Sequence, residues 1–105
     1  MSSFPRTLPG ALERVGALIE AEVSKQQLWR LGAVERESGQ VEAYVLVGLG
    51  RSPAHLRFSL SGGRGKGTEV DVALLAKSRW SRRSTCIALA ASLLDAVAKG
   101  CASSG

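Results

Sequence analysis

Few side chains in this 105-residue chain could take part in covalent or acid–base chemistry. There is one histidine, His55, and there are two cysteines, Cys86 and Cys101, without CxxC spacing. A structural zinc site needs about four His or Cys ligands, so no metal and no other cofactor is expected. His55 lies between Arg51 and Arg57 with no acidic or nucleophilic neighbour at motif spacing, so it is not expected to act as a catalytic base. Glu69 and Asp71 stand two apart on one face of a strand and could bind a cation. Arg57 on the adjacent strand offers the simpler account, a cross-strand ion pair. No catalytic constellation emerges, and an enzyme is not expected.

The chemistry that the residues do support is electrostatic. The net charge is +5, and it is unevenly spread. Residues 51–83 carry Arg51, Arg57, Arg64, Lys66, Lys77, Arg79, Arg82 and Arg83 against only Glu69 and Asp71. The preceding fifty residues are slightly acidic, and the remainder is neutral. One third of the chain thus holds the whole positive balance, the distribution expected of a surface that meets a polyanion. A plain solvated surface is the alternative.

Two clusters stand out within that third. The first is the loop Gly62-Gly63-Arg64-Gly65-Lys66-Gly67. A Walker loop requires glycine, four residues, then Gly-Lys-Ser/Thr and a helix. Here Leu60 occupies the first glycine position, Gly67 follows Lys66, and a strand comes next, so a nucleotide-hydrolysing loop is excluded. A hairpin whose Arg64 and Lys66 touch a nucleic-acid backbone is one reading, and a hairpin with solubilising charge is the other. The second cluster is Ser78-Arg79-Trp80-Ser81-Arg82-Arg83, preceded by Lys77. Cations at a helix amino terminus oppose the helix dipole, while exposed amides there favour an anion. Arg82 and Arg83 at such a place make sense if a phosphate arrives between them, or if they pair with Glu35, Glu37 or Asp95. Trp80 and Trp29 could stack on bases or anchor a core.

The run from Ser81 to Leu94, SRRSTCIALAASLL, resembles the final helix of double-stranded RNA-binding domains. In those domains a Ser-Lys-Lys start precedes an Ala-rich apolar helix, and the lysines meet phosphates. The resemblance covers fourteen residues and implies that Arg82 and Arg83 are phosphate contacts. The family has three strands, and its usual glycine pattern before the motif is missing here. At the level of topology alone, the chain is also similar to single-strand-binding folds that pair a four-stranded sheet with a helix and act as dimers.

The elements that position these residues follow from hydrophobic periodicity. Thr7 is expected to cap a first helix with Pro9 in its opening turn, carrying Leu8, Ala11, Leu12, Val15, Leu18, Ile19 and Val23 on one side. Trp29, Leu31 and Ala33 alternate in a first strand that ends at the Ser38-Gly39-Gln40 turn. Val41, Ala43, Val45, Val47 and Leu49 line a second strand. Leu56, Phe58 and Leu60 line a third, and Val70, Val72 and Leu74 a fourth. Short loops imply an antiparallel meander. The solvent face should present Arg30, Glu42, Tyr44, Leu46, His55, Arg57, Ser59, Glu69 and Asp71. A last helix starts near Ser81 or Ser84 and stops at Gly100, as helices often stop at glycine.

The expected fold is therefore α+β, a two-layer sandwich in the order α-β-β-β-β-α with both helices on one face of a four-stranded sheet. Residues 1–6 form a flexible lead, 7–100 one domain, and 101–105 a disordered tail that includes Cys101. No basic start precedes an apolar segment, as a signal peptide would need. The longest unbroken apolar run, Cys86–Leu94, is shorter than the roughly 20 residues of a membrane span. A cytoplasmic protein without a membrane partner is expected. The function expected from these features is a small non-enzymatic nucleic-acid-binding accessory protein, dimeric through its Ala-rich last helix. Arg57, Arg64, Lys66, Lys77, Arg79, Arg82 and Arg83 would contact DNA or RNA phosphates, with Trp80 beside them. The alternative is a protein-interaction module that uses the last helix or the open sheet face.

Overall fold

The computed structural model describes residues 5–48, 50, 52–62, 67–79 and 81–103. The chain runs β1 (Arg6–Pro9), α1 (Leu12–Lys25), β2 (Trp29–Glu35), β3 (Gln40–Val47), β4 (Ser52–Gly62), β5 (Gly67–Ala76) and α2 (Arg83–Ser103). The strands form one sheet in the order β1-β5-β4-β3-β2, and every neighbouring pair is antiparallel. The fold is α+β with a helix near each end of the described chain, as expected, but the sheet has five strands rather than four.

The additional strand is β1. Thr7, Leu8 and Pro9 do not open the first helix; they pair with Glu69, Thr68 and Gly67 along the free edge of β5. Pro9 fits there because a missing amide hydrogen is tolerated at a sheet edge, and Leu8 is buried in the core. Arg6, placed in a flexible lead by its sequence, is the first residue of this strand. Its guanidinium reaches α2, donating to the Ala91 carbonyl at 3.0 Å and pairing with Asp95 at 2.5 Å. The helix α1 then begins at Leu12, and its Val15, Ile19 and Val23 are buried at four-residue spacing, the stripe of an amphipathic helix.

The three central strands follow the alternation in the sequence. Val41, Ala43, Val45, Ala54, Leu56, Phe58, Leu60 and Val70 are buried beneath the helices. At the edge, β2 departs from it. Trp29 is buried (3 % exposed) against Phe58, but the register shifts between Leu31 and Val34. An inserted residue moves the following side chains to the opposite face, so Val34, opposite Val41, packs on the core, while Ala33 is exposed.

The helix α2 buries Cys86, Ala90, Leu93, Leu94, Val97 and Cys101. Ser84, Ala88, Ser92, Asp95 and Lys99 form its exposed stripe. It continues through Gly100, where an added Cβ would stand 3.8 Å from Leu18 of α1, to Ser103. Cys101 is therefore a buried residue of the core rather than part of a tail. Arg83–Cys101 has a mean hydropathy of 1.3 and is, by length and composition alone, long and apolar enough to cross a membrane. Core helices pass the same test, and this one packs against α1, β1, β3 and β5.

Candidate nucleic-acid interface

With both helices on one side, the other side of the sheet is open, and strand register arranges its side chains in transverse rows. Arg30, Tyr44, His55 and Ala76 form one row; Glu42, Arg57 and Ala73 form the next. Glu35, Gln40, Ser59 and Asp71 form the third, and Ser61, Glu69 and Thr7 the last. Two residues of strand separate successive rows by about 7 Å. The first two of these rows hold Arg30, Tyr44, His55 and Arg57 together with the carboxylate of Glu42, and Glu35, Asp71 and Glu69 lie beyond them.

In the first row the Tyr44 and His55 rings stack, with centroids 4.4 Å apart and an interplanar angle of 14°. Tyr44 remains 38 % exposed. His55 Nε2 donates to Glu42 Oε1 at 2.6 Å. That bond runs diagonally to the neighbouring row, although Arg57 is the residue directly opposite Glu42. Arg57 forms no salt bridge among the described residues, and its Nε is shielded from solvent without a hydrogen-bond partner. The ion pair expected between Arg57 and Glu69 or Asp71 is absent, because those carboxylates lie opposite Ser61 and Ser59. Arg30 turns its guanidinium onto the carbonyls of Gln27 and Trp29, at 2.7 and 2.8 Å.

The second basic group follows directly from the first row. Ala76, the register partner of His55, is the last residue of β5, and Lys77, Ser78, Arg79, Ser81 and Arg82 lie between it and α2. Lys77 clamps this connection: its ammonium donates to the Ser81 carbonyl at 2.9 Å and, more weakly, to that of Ser78 at 3.4 Å. The residue is otherwise exposed. Arg79 is exposed in the same connection. The Arg82 carbonyl accepts from the amides of Thr85 and Cys86, so Arg82 is the cap residue of α2 and Arg83 its first helical residue. Both are exposed, and neither makes a salt bridge among the described residues. The carboxylates that could have neutralised them are elsewhere: Asp95 is paired with Arg6, and Glu35 and Glu37 flank the β2–β3 turn at the opposite end of the sheet. A cleft beside Arg82 is also lined by Gly48, Gly50, Ser52, Ser81 and Thr85.

Of the residues that the sequence singles out, Lys77, Arg79, Arg82 and Arg83 follow the end of β5 at the start of α2, while Arg57 stands in mid-strand of β4 on the open face. Arg64, Lys66 and Trp80 lie outside the described residues. The strand ends that bracket the glycine-basic loop, Gly62 and Gly67, are at the far end, because β5 runs ten residues from Gly67 to Ala76, about 30 Å at strand rise. Trp29 is in the core, so it cannot stack on a ligand. Tyr44 and His55 face outward from their strands, as alternation predicts. No group of three or more His, Cys, Asp or Glu able to hold a metal occurs among the described residues. Comparison with family models, curated proteins and solved structures finds no match to this chain.

Proposed function

We propose that the protein is a small nucleic-acid-binding accessory factor that grips the phosphate backbone with the basic end of its sheet. The observation that carries this reading is the position of Arg82 and Arg83, exposed at the start of α2 without a carboxylate partner among the described residues. Two cations there oppose the positive end of the helix dipole, and a phosphate relieves that opposition. The hydroxyls of Ser52 and Thr85 in the adjoining cleft add donors of the kind that contact backbone oxygens.

The test is a salt-titrated anisotropy assay with labelled 20-mers of single- and double-stranded DNA and RNA, comparing the wild type with Arg82→Glu/Arg83→Glu. Loss of two phosphate contacts should weaken binding by at least tenfold and reduce the slope of log K against log salt by about two. Binding that the double variant leaves unchanged would refute the reading. A second reading, a protein-interaction module, is favoured by Leu28 and Leu31, which are 43 % and 39 % exposed in and beside the edge strand β2. A stoichiometric protein partner retained after nuclease treatment, together with no oligonucleotide binding, would select it.

A further inference from the structure

We infer that the cleft at the start of α2 takes a terminal phosphate, the monoester at the end of a nucleic-acid strand. This inference rests on the nucleic-acid reading above and adds to it the pocket and the group that the pocket selects.

The cleft has two walls. One is the turn from β3 to β4, with Gly48, Gly50 and Ser52, and the other is Ser81, Arg82 and Thr85 at the entry to α2. Among the described residues no carboxylate lines it, and the first turn of α2 holds no acidic residue. It measures about 500 Å³, within the range of small-ligand sites, which leaves room for a phosphate and the sugar that bears it. The glycines keep the first wall bare. Nothing among the described residues lies within 4 Å of a Cβ built on Gly48, and one built on Gly50 meets only the Ser52 hydroxyl, at 3.9 Å. On the second wall the first bonds of α2 run from the Thr85 and Cys86 amides to the Arg82 carbonyl. The amides of Arg83 and Ser84 therefore have no helical acceptor, and such amides attract an anion.

Ser81 shows the same deficit from inside the wall. It is only 9 % exposed. Its amide donates to the Ser78 carbonyl and its own carbonyl accepts from Lys77, but its hydroxyl has no hydrogen-bond partner among the described residues. Nor is that hydroxyl sealed in: Arg57 Nε is the one unpartnered side-chain atom closed to solvent among them. It opens onto the cleft that Ser81 lines. A hydroxyl so placed is costly to leave unbonded, and a phosphate oxygen in the cleft accepts from it. The ester type follows from the donors. The two walls together hold the hydroxyls of Ser52, Ser81 and Thr85, the Arg82 guanidinium and the two free amides. An internal phosphodiester brings two unbridged oxygens and one charge, and its strand must leave on both sides. A terminal monoester brings three oxygens and nearly two charges and leaves on one side, which suits a hollow with donors on two walls.

The probes are labelled dT20 strands bearing a 5′-phosphate, a 3′-phosphate or neither, measured by anisotropy. The proteins are the wild type, Ser81→Ala, Thr85→Val and Arg82→Glu/Arg83→Glu, with circular dichroism for folding. The wild type should bind a phosphorylated strand about tenfold or more tightly than the unmodified one. Ser81→Ala and Thr85→Val should each cut that preference about fivefold, the loss of one hydrogen bond. If the wild type binds all three strands equally while Arg82→Glu/Arg83→Glu weakens all of them, the terminal phosphate is wrong and the backbone reading stands. If no strand binds at low salt, both are wrong. A preference that neither Ser81→Ala nor Thr85→Val reduces puts the phosphate outside this cleft and overturns the inference. Thymidine monophosphate or inorganic phosphate that displaces the phosphorylated strand as well as its own unlabelled copy does would overturn the strand end in favour of a free phosphate. Should Ser81→Ala fail to fold, an unreduced preference in Thr85→Val, at an exposed position, overturns the inference by itself.

Discussion

Two glycines offer a controlled measurement of how the β2–β3 turn is tied to the sheet. Gly39 and Gly48 both adopt left-handed backbone conformations, at φ 70° and 78°. Around Gly48 nothing among the described residues lies within 4 Å of where a Cβ would stand, whereas at Gly39 the Cβ would be 2.6 Å from the Leu60 carbonyl oxygen. The same turn accepts a hydrogen bond from the Leu60 amide to the Gly39 carbonyl at 2.7 Å, and Gly39 is buried. Gly48→Ala carries only the conformational penalty, roughly 1–2 kcal/mol, offset in part by about 0.4–1 kcal/mol of lost freedom in the unfolded chain. A net loss of about 0.5–1 kcal/mol should result. Gly39→Ala carries the same penalty and must also push the turn off β4, breaking a buried backbone bond at about 1–3 kcal/mol. Its total of roughly 2–4 kcal/mol corresponds to a Tm lowered by about 8–20 °C, against about 3–6 °C for Gly48→Ala, in a domain of this size. Thermal and urea unfolding followed by circular dichroism measure both. Equal shifts for the two variants would show that the contact with Leu60 has no energetic weight.

Two further variants probe the junctions of the fold. Arg6→Ala removes the Asp95 ion pair and the bond to the Ala91 carbonyl, and with a side chain only 25 % exposed it should lower stability by about 1 kcal/mol. Urea unfolding at low and high salt should show that part of this loss survives screening, because the carbonyl bond is not an ion pair. Cys86→Ser places a hydroxyl among apolar groups at a fully buried position of α2 and should cost about 1–2 kcal/mol, a loss that a matched Tm within error of the wild type would contradict.

The helices and the three central strands were legible because each buries one side on a regular period. Val15, Ile19 and Val23 mark α1 and Val41, Ala43 and Val45 mark β3 as clearly in the sequence as in the fold. The strand β1 was not legible. A four-residue segment holding Thr7 and Pro9 has the local signature of a helix start, and what makes it a strand is the free edge of β5, far away in the chain. The bulge in β2 was equally hidden, since alternation reads straight through the register shift that brings Val34 inward. The outward direction of Tyr44, His55 and Arg57 could be read from alternation, but their partners could not. Alternation fixes which face a side chain takes; register fixes whom it meets. A two-residue difference in the β4–β5 pairing decides whether Arg57 finds Asp71 or Ala73.

The clamp of β1 onto α2 has a consequence for how the chain is made. Arg6 bonds to residues 85 and 89 positions further on, and β1 pairs only with β5. At synthesis rates of about 5–20 residues per second, the first strand waits several seconds for β5 and longer for the part of α2 that Arg6 holds. During that interval Thr7 to Pro9 have no sheet to join, and the hairpins between β2 and β5 can form without them. Of the five described strands, β1 is made first and finds its partner last. Contacts of such long range are slow to close, so the edge of β5 stays open to other chains until β1 arrives to cover it.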